Sequence, residues 1–586
     1  MTKAITISSM LSTLKTYALF SLALALLTAA PNILAQSFSS DTHPNNNPIE
    51  LPDFPAEQAI SGSILPSLAL PQTFSKTALY TGKTFMLRGV EFSGNTVFSD
   101  KHLSELVSNY LNTKIDLPVL QALRDRITQE YVTQGYVNSG ALLPDQTVDN
   151  GIVQINIVEG MLSDIILKND GKLKERFFTE RLALAADPAV NIHKLEQRLF
   201  SFQQDERIKK ITAELKPGRI AGQSVLNVSV NENPSFSAYT EINNYHTPGV
   251  GAEGIYLNLR NNNLLGNGET LSLGFEATQG LTAANANYTW FLNSADTSLQ
   301  VLAEISDAEV VTEDFDTLNI ESRSQTLGLT LTHPFYRDSY KSFRVFAGTE
   351  LRESESFLLG EGFSFTEGPE NGLSRLSILR TGIDYQSGTA TRVVATRATV
   401  SMGADAFDAT IHDDDRPDGE FISVLLQAQW AQRLSLWQST IIARFDMQLS
   451  DAPLLSLEQF AIGGRNTVRG YRENSLVRDE GSNASVEWRI PYIRREFGNR
   501  HELALFADYG STKNVDRETR GTKNISSVGL GLIGQLNTNW RYQLYWAESM
   551  EDLATGNQNE GLENLVTFSK KDLQDDGVHF SMGYRW

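Results

Sequence analysis

The residues after Ser235 constrain the fold of this 586-residue chain most, because apolar and polar side chains alternate there and helical spacing stops. A period of two places every second side chain on the same face of a strand. The clearest shared faces are Leu271, Leu273 and Phe275; Trp540, Tyr542, Leu544 and Trp546; and Val578, Phe580, Met582, Tyr584 and Trp586. Apolar stripes with aromatic residues near the strand ends predict a β-barrel that spans an outer membrane.

The connections between these segments alternate in length, which also favours a barrel. Short ones are NNNLLGNG, LNSADT, QSGTA and LNTN, and long ones are SESFLLGEGFSFTEGPENG, ATIHDDDRPDGE and residues 551–576. Outer-membrane barrels have short periplasmic turns and longer extracellular loops. A soluble β-sandwich is the alternative, but it predicts neither the alternation of short and long connections nor an aromatic last strand. We therefore predict an all-β transmembrane barrel of about 16 antiparallel strands over residues 235–586.

Residues 1–35 have the pattern of a secretory signal peptide. Two lysines precede an apolar run from Tyr17 to Leu27, and small residues follow it. This run is short for a helix that spans a bilayer, which disfavours a membrane anchor. Cleavage is expected after Ala35, with Ala30 as the alternative site.

Residues 36–83 are rich in Ser, Asn and Pro, which is the composition of a linker. Within it, residues 56–70 are expected to become helical only if another part of the protein packs against them. The region contains no strong amphipathic helix.

The composition argues against several kinds of site. The formal net charge is -20, whereas a nucleic-acid surface needs clustered Lys and Arg, so no nucleic-acid partner is expected. The chain has no cysteine, which leaves no disulfide, thiol nucleophile or cysteine metal site. No HExxH motif occurs and no GxSxG stands at a strand-to-helix elbow. We therefore predict no enzyme, no cofactor and no metal.

Two further motifs have a structural explanation that we prefer. GLGLIG, residues 529–534, matches a dinucleotide fingerprint by letters, but no βαβ unit surrounds it. A barrel strand with glycines toward the lumen and leucines toward lipid explains it better. HDDDRPDGE, residues 412–420, lacks the spacing and the distal Glu of a calcium-binding EF-hand loop, and a solvated extracellular loop is expected there.

Residues 84–232 contain an imperfect internal repeat of strand, helix, helix, strand, strand. The first unit reads FMLRGVEFSGN, DKHLSELVSNYLN, LPVLQALRDRITQEYVTQGY and then two strands in VNSGALLPDQTVDNGIVQINIVEG. The second reads SDIILKN, KERFFTERLALAA, NIHKLEQRLFSFQQD and a hairpin in ITAELKPGRIAGQSVLNVSVNEN. Helical spacing is clearest at Leu103, Leu106, Val107, Tyr110 and Leu111, and at Leu120, Leu123, Ile127 and Tyr131, before a C-capping Gly135.

The repeat and the barrel together resemble one family. YVTQGYVNSGALLPDQTVDNGIVQINIVEG resembles the first POTRA domain of the two-partner secretion transporters (TpsB), the hemolysin secretion/activation (ShlB/FhaC/HecB) family. ITAELKPGRIAGQSVLNVSVNE is similar to the end of their second POTRA domain, and NNNLLGNGETLSLGF to the start of their barrel. The resemblance implies α+β POTRA domains at residues 84–160 and 161–234, in the periplasm, before the barrel. In some family members an N-terminal helix plugs this barrel.

The stretch AIGGRNTVRGYREN, residues 461–474, lies between the eleventh and twelfth predicted strands. The resemblance implies that this sixth extracellular loop folds back into the barrel lumen. The tip then carries the family motif Val468, Arg469, Gly470 and Tyr471. Glycines in the stretch permit the tight bends that an inserted loop requires. An ordinary solvent-exposed basic loop is the alternative.

The resemblance further implies that the arginine of this motif contacts a strand motif of the form F-x-D-x-G. LFADYG supplies it here, on the thirteenth predicted strand, with Phe506, Asp508 and Gly510. The period of two puts these three residues on one strand face. A guanidinium in a lumen needs a carboxylate partner, and arginine offers planar, bidentate geometry.

The function implied by the resemblance is a translocation pore in a Gram-negative outer membrane. The POTRA domains would capture an unfolded exoprotein (TpsA-like: a hemolysin, adhesin or toxin) and the barrel would secrete it without nucleotide hydrolysis. Other expected partners are outer-membrane lipid and the outer-membrane assembly machinery, which would recognise Tyr584 and Trp586 as a C-terminal assembly signal. Two alternatives are an assembly insertase of the BamA/TamA type, whose members usually carry more POTRA units, and a diffusion porin, which needs none.

Overall fold

The computed structural model describes residues 49–52, 54, 84–220, 222–312, 316–338, 340–493, 500–515, 522–551, 553 and 572–586. The predicted signal peptide and the possible helix at residues 56–70 lie outside these residues. None of the helices in the described ranges is both long and apolar enough to cross a membrane.

The first domain is an α/β unit built on a three-stranded sheet. Its elements are β1 (Phe85–Leu87), β2 (Gly89–Ser93), α1 (Asp100–Val107), β3 (Thr113–Ile115), α2 (Leu117–Thr133), β4 (Gly140–Leu142) and β5 (Ile152–Val158). In the sheet, β5 pairs parallel with β2 and antiparallel with β4. The single strand predicted for FMLRGVEFSGN is divided, because β1 leaves the sheet to pair with β3.

Local sequence explains where the two helices of this domain begin and how they pack. Ser99 and Asp116 cap them by accepting hydrogen bonds from the amides of His102 and Val119. The apolar faces are buried against the sheet through Leu103, Val107, Leu120, Leu123, Ile127 and Tyr131. These residues are among those whose spacing predicted the helices, but α1 ends at Val107, before the predicted Tyr110 and Leu111.

The second domain repeats this order. It consists of β6 (Met161–Asn169), α3 (Glu175–Ala183), α4 (Ile192–Gln203), β7 (Ile208–Pro217) and β8 (Gln223–Glu232). The central strand β8 pairs parallel with β6 and antiparallel with β7, as β5 does with β2 and β4 in the first domain. The predicted internal repeat therefore corresponds to a shared sheet topology.

The rest of the chain forms a closed antiparallel barrel of 16 strands, which confirms the predicted fold class. The barrel strands are β9 (Phe236–Asn243), β10 (Gly254–Asn261), β11 (Thr270–Ala277), β12 (Leu281–Phe291), β13 (Ser298–Glu309), β14 (Glu321–Arg337), β15 (Lys341–Leu358), β17 (Leu373–Gly388), β18 (Arg392–Gly403), β19 (Ile422–Arg433), β20 (Thr440–Ser450), β23 (Glu480–Ile493), β24 (Arg500–Lys513), β25 (Lys523–Leu536), β26 (Trp540–Ser549) and β27 (Val578–Arg585). Three short strands lie in the connections and are not counted among the 16 barrel strands: β16 (Glu361–Gly362), β21 (Phe460–Ile462) and β22 (Leu476–Arg478). The barrel closes where β27 pairs with β9.

Alternating side chains divide the barrel wall into a lipid face and a lumen face. On β25, Leu530 and Leu532 are exposed, whereas Gly531 between them is buried. The GLGLIG motif therefore lies on a barrel strand, as the alternation predicted. On β26, Trp540, Leu544 and Trp546 are exposed on the outer face.

The second domain is fastened to the periplasmic turns of the barrel. The amide of Lys174 donates to the carbonyl oxygen of Gly266 at 2.8 Å, in the turn between β10 and β11. The guanidinium of Arg181 pairs with Asp296, in the turn between β12 and β13, at 2.8 Å. The guanidinium of Arg207 donates to the carbonyl oxygen of Gly268, in the turn between β10 and β11. These contacts hold the second domain directly below the lumen.

Candidate functional site

The connection between β20 and β23, residues 451–479, runs through the barrel lumen. Within it β21 and β22 form an antiparallel hairpin, and residues 463–475 form the tip beyond that hairpin. Phe460, Ile462 and Val468 are completely buried, and they pack with Ile525 of β25. We call residues 451–479 the luminal loop.

The guanidinium of Arg469 is held by two carboxylates from neighbouring strands. Its Nε and Nη2 atoms donate to Oδ2 and Oδ1 of Asp508 on β24 at 2.8 and 2.9 Å. Its Nη1 atom donates to Glu487 on β23. The backbone amide of Arg469 donates a further hydrogen bond to Asp508 at 3.1 Å. All three side chains are buried, so this arrangement replaces the water that a charged group would otherwise need.

Two aromatic rings and a hydroxyl complete the surroundings of this guanidinium. The Cζ atom of Arg469 lies 3.5 Å from the ring centroid of Phe506 and 4.8 Å from that of Tyr545 on β26. Ser485 accepts from Nη2 of Arg469 at 3.2 Å and donates to Asp508 at 2.6 Å. The pair from the predicted strand motif, Phe506 and Asp508, thus contacts the arginine on two sides.

The third residue of the strand motif makes room for the loop. A Cβ atom on Gly510 would lie 2.9 Å from Val468 Cγ2 and 2.9 Å from Ile462 Cδ1. Any larger residue at position 510 would therefore push the luminal loop away from β24. Phe506, Asp508 and Gly510 all face the loop tip.

The backbone at the tip is left-handed at Gly463, Gly464 and Gly470, a conformation that favours glycine. Gly470 has a φ of 93°, and a Cβ atom there would lie 3.0 Å from the Cβ atom of Ala547 on β26. Its amide donates to Nε2 of His579 on β27 at 3.3 Å. The tip therefore touches β24, β26 and β27 within a few residues.

Tyr471 links the loop tip to the extracellular end of the barrel. Its hydroxyl donates to Glu551 Oε2 at 2.9 Å and receives a hydrogen bond from the Glu551 amide at 3.0 Å. Glu551 also accepts from the Ser526 amide at 2.5 Å, at the extracellular end of β25. The four residues of the tip motif thus have separate contacts on the barrel wall.

A second ion-pair cluster holds the base of the luminal loop. Glu458 is 1% exposed and accepts hydrogen bonds from Arg352 on β15 at 2.6 Å and from Arg380 on β17 at 2.8 Å. The strands β15 and β17 are six and five positions from β24 around the barrel. The luminal loop is therefore tied across the lumen rather than to one wall.

The described end of the last extracellular loop packs on the loop tip. The Glu473 amide donates to Gln574 at 3.0 Å, and Nη2 of Arg472 donates to Asp575 at 2.6 Å. Gln574 also donates to the carbonyl oxygen of Asn244 at 2.7 Å, in the first extracellular loop. The sequence assigned no role to this last loop, and part of it lies outside the described residues.

Several residues of the site were not anticipated from the sequence, namely Ser485, Glu487, Glu551, Gln574 and His579. None of them belongs to a motif, and each comes from a different connection or strand than the loop. For Ser485 and Glu487 the alternation along β23 is the one signal in the sequence, since it places both side chains on the face that points to the lumen. The pairing of Glu487 with Phe506 in the register of β23 and β24 brings Glu487 beside Arg469.

The aromatic residues at the chain end lie on the wall rather than in the lumen. The rings of Tyr584 and Trp586 meet edge to face at 4.9 Å, and Tyr584 lies 4.8 Å from Trp540. In the described part of the chain no group of His, Asp and Glu side chains is arranged to hold a metal ion. His412 of the HDDDRPDGE stretch instead hydrogen-bonds to the carbonyl of Gly368 in the adjacent extracellular loop at 2.6 Å.

Family models match two parts of the chain. Residues 222–534 match the model described as "Haemolysin secretion/activation protein ShlB/FhaC/HecB". Residues 85–160 match the model described as "POTRA domain, ShlB-type". The first match covers more than half of the chain.

Curated relatives and a solved structure agree with these matches. The heme/hemopexin transporter protein HuxB of Haemophilus influenzae Rd is 24% identical over 514 residues, covering 84% of this chain and 88% of HuxB. The outer membrane transporter CdiB of Dickeya dadantii is 24% identical, covering 70% of this chain and 74% of CdiB. The structure of CdiB from Escherichia coli has the same fold, with a TM-score of 0.66 and 18% identity over 88% of this chain and 93% of that one.

These findings confirm the resemblance drawn from the sequence, the location in the outer membrane with POTRA domains in the periplasm, and the secretion function. The chain belongs to the haemolysin secretion/activation (ShlB/FhaC/HecB) family, and it is an outer-membrane transporter that secretes exoproteins.

Proposed function

We propose that the exoprotein, a TpsA-like polypeptide, is captured unfolded by the two periplasmic domains and then passes through the lumen beside a displaced luminal loop. Secretion on this path involves no catalysis by the transporter and no nucleotide hydrolysis. The observation that carries the proposal is the anchoring of Arg469 by Asp508 and Glu487, because it keeps the loop across the path.

Capture would use sheet edges of the periplasmic domains. In the described part of the second domain, β6 pairs with β8 on one side only, and its Met161 and Ile166 side chains are exposed. In the first domain β4 is also an edge strand, with Leu142 exposed. An extended peptide can add to such an edge through backbone hydrogen bonds while apolar side chains supply selectivity.

Release of the loop would be reversible because its anchors are polar. The hydrogen bonds of Arg469 can be exchanged for hydrogen bonds to water or to a passing polypeptide backbone. Removing one partner of a buried ion pair costs about 3–5 kcal/mol, since it leaves the other charge unpaired. A free-energy cost of that size favours the anchored position of the loop in the resting transporter.

The contacts outside the lumen also enter this proposal. The exposed leucine and tryptophan side chains on the wall would contact outer-membrane lipid. Tyr584 and Trp586 would be the signal that the assembly machinery recognises during biogenesis. An assembly insertase remains the second candidate function, but the relatives reported above are transporters, and only two POTRA units lie in residues 84–234.

The direct test compares proteins released by Gram-negative cells that carry the wild-type chain, Arg469→Ala or no copy of the gene. Arg469→Ala is expected to insert a folded barrel and to secrete poorly, because Asp508 and Glu487 then remain in the lumen without a counter-ion and the tip loses the defined position from which passage starts. The matched control is Arg416→Ala, which removes an arginine whose ion pair with Asp414 lies exposed in an extracellular loop. It is expected to secrete normally.

The outcomes separate the candidates. Loss of one large protein from the medium or cell surface supports a dedicated exoprotein pore and identifies the partner. An unchanged set of secreted proteins, with many outer-membrane proteins reduced together, supports the insertase instead. Normal secretion by correctly inserted Arg469→Ala contradicts the role proposed for the loop anchor.

A further inference from the structure

A large cavity lies where the second domain meets the periplasmic mouth of the barrel. Its volume is about 1190 Å³, and it is lined by residues of α4, the lumen face of the barrel and the tip of the luminal loop. We call this cavity the basic vestibule, and Arg198, Lys341, Arg465 and Arg541 mark its wall. Any polypeptide that passes from the second domain to the lumen crosses it.

The charge of the basic vestibule is opposite to that of the chain. Twelve Arg or Lys side chains line it among the described residues, against six Asp or Glu side chains. The whole chain has 50 Lys and Arg against 70 Asp and Glu. Positive charge is therefore concentrated in this passage, and low-dielectric walls around a cleft strengthen the field of such a cluster.

The acidic side chains of the basic vestibule are already engaged. Four of them form ion pairs within it, which are Asp205 with Arg207, Glu206 with Arg260, Asp296 with Arg181 and Glu487 with Arg489. By contrast, no carboxylate oxygen in the described part of the chain lies within ion-pair distance of Arg198, Lys341 or Arg541. These three cations are available to an incoming anion.

Arg198 lies close to two other cationic side chains of the cavity, Arg337 and Arg181. It projects from α4 of the second domain, outside the membrane. Burial lowers the pKa of its guanidinium, the attraction of Asp296 offsets part of that effect, and repulsion from Arg337 and Arg181 lowers the pKa further. A carboxylate that entered beside Arg198 would relieve this repulsion.

An acidic stretch of this chain already occupies part of the cavity. Residues 49–52, Ile-Glu-Leu-Pro, lie along its wall, with Ile49 buried and Glu50 among the lining side chains. The ring of Phe54 continues the stretch and lies 4.2 Å from the guanidinium of Arg433. The cavity is therefore wide enough for a polypeptide segment that carries a carboxylate.

We propose that the basic vestibule is a binding site for acidic, extended segments of the exoprotein, and that it selects and orients them as they leave the periplasmic domains. Carboxylates of the passing chain pair with Arg198, Lys341 and Arg541, and they exchange easily because the segment is unfolded. The proposal rests on the translocation path proposed above, since it names the chemistry of the polypeptide that takes that path.

The test measures binding of a fluorescent oligoglutamate peptide to the purified full-length transporter by anisotropy. The wild-type protein is expected to bind it with an affinity that falls as salt is raised. The double variant Arg198→Gln/Arg541→Gln is expected to bind about tenfold more weakly, because two direct charge pairs are lost. Arg416→Gln, on the extracellular side, is expected to bind as the wild type does.

Several results would overturn the proposal. They are wild-type protein that fails to bind oligoglutamate, wild-type protein that binds oligolysine equally well, and a folded double variant with unchanged affinity. Free glutamate and unlabelled oligoglutamate can each be added, at the same carboxylate concentration, to displace the fluorescent peptide. Equal displacement by the two would indicate a site for small anions instead. Heat-modifiable gel migration verifies that each variant barrel is folded. Because binding is measured without secretion, these results are independent of whether Arg469→Ala secretes.

Discussion

Arg469 and Asp508 form a two-pronged ion pair in the barrel lumen, with Nε···Oδ2 and Nη2···Oδ1 distances of 2.8 and 2.9 Å. The two residues are 39 positions apart in the chain, and the pair joins the tip of the luminal loop to β24. A lysine at position 469 could not reproduce this geometry, since an ammonium is a point charge without a planar fork. The pair therefore fixes both the depth and the orientation of the tip.

A reversible disulfide between positions 468 and 510 should stop secretion. Because an ideal Cβ at Gly510 lies 2.9 Å from Val468 Cγ2, Val468→Cys and Gly510→Cys together place two thiols at bonding distance. The chain has no other cysteine, so no competing disulfide forms within it. We expect secretion to be blocked under oxidising conditions and restored by a reductant, as measured by exoprotein in the medium.

The single-cysteine variants Val468→Cys and Gly510→Cys are the controls for the disulfide experiment. Each carries one of the two substitutions, and Gly510→Cys alone includes the added bulk at position 510, yet neither can crosslink the loop to β24 in the same molecule. Secretion that continues while gel analysis shows the double-cysteine protein fully oxidised would mean that the tip stays in place during passage.

Gly470→Ala should destabilise the loop tip more than Gly360→Ala destabilises its own loop. Both glycines have a left-handed φ, 93° and 82°, so alanine introduces comparable backbone strain of about 1 kcal/mol at each. At Gly470 the added Cβ also meets Ala547 at 3.0 Å, whereas at Gly360 no atom of the described residues lies within 4 Å of it. Hydrogen exchange in detergent should show faster exchange of residues 463–475 in Gly470→Ala only. If the two substitutions accelerate exchange equally in their own loops, backbone strain alone explains the effect, and the contact with β26 contributes nothing.

Glu159 should make the first domain sensitive to acid. Burial by itself would raise the pKa of its carboxyl, but hydrogen bonds from Thr96, Val97 and Tyr131 outweigh burial and lower the pKa. Since the folded-state pKa lies below the unfolded value, the stabilisation is present at neutral pH and is lost as pH falls through the folded-state pKa. The backbone amides of Thr96 and Val97 donate to the Glu159 carboxylate at 2.8 and 2.9 Å. Their hydrogen exchange therefore reports the loss of this stabilisation directly.

We expect protection of these two amides, corrected for intrinsic exchange, to decrease in acid in the wild-type protein. Glu159→Gln should show weaker protection at neutral pH with little dependence on pH over the same window. Glu130→Gln in α2 is the control, because the Glu130 carboxylate contacts His102, which lies outside that hydrogen-bond network. A wild-type profile as flat as that of Glu159→Gln would contradict this account of the carboxylate.

Trp586→Ala should reduce the amount of barrel in the outer membrane. Trp586 packs edge to face on Tyr584 at the end of β27, next to the β27–β9 closure of the barrel. Trp437, an exposed residue that stacks on Trp488 at 5.6 Å in a turn on the same side, provides the control Trp437→Ala. Immunoblots of outer-membrane fractions compare the two, and equal abundance would argue that the chain end carries no special assembly signal.

Much of the architecture was predictable from the sequence, because its causes are local. Period-two alternation located the strands, helical spacing located α1 and α2, and counting strands placed the luminal loop between the eleventh and twelfth. The same alternation put Phe506, Asp508 and Gly510 on one face. Where the sequence treated residues 85–93 as one strand, the division arose from pairing with β3, which no local pattern encodes.

The rest of the site depends on register and on distance across the lumen. Glu487 reaches Arg469 because β23 and β24 are aligned so that it sits opposite Phe506. Glu458 meets Arg352 and Arg380 because the base of the loop crosses to β15 and β17. Residue spacing in the sequence predicts neither contact. Strand alternation indicates which face of the barrel a side chain lies on, but not which residue of another strand it contacts.

The luminal loop is covalently part of the barrel that it obstructs, and this has a consequence for the cell that makes it. On the path proposed above, the displaced tip returns by a unimolecular step whose rate does not depend on how many transporters are present, since the tip never diffuses away from its anchors. A separate stopper protein would have to be recruited each time. Leakage through the outer membrane would then be confined to the time for which the pore is in use.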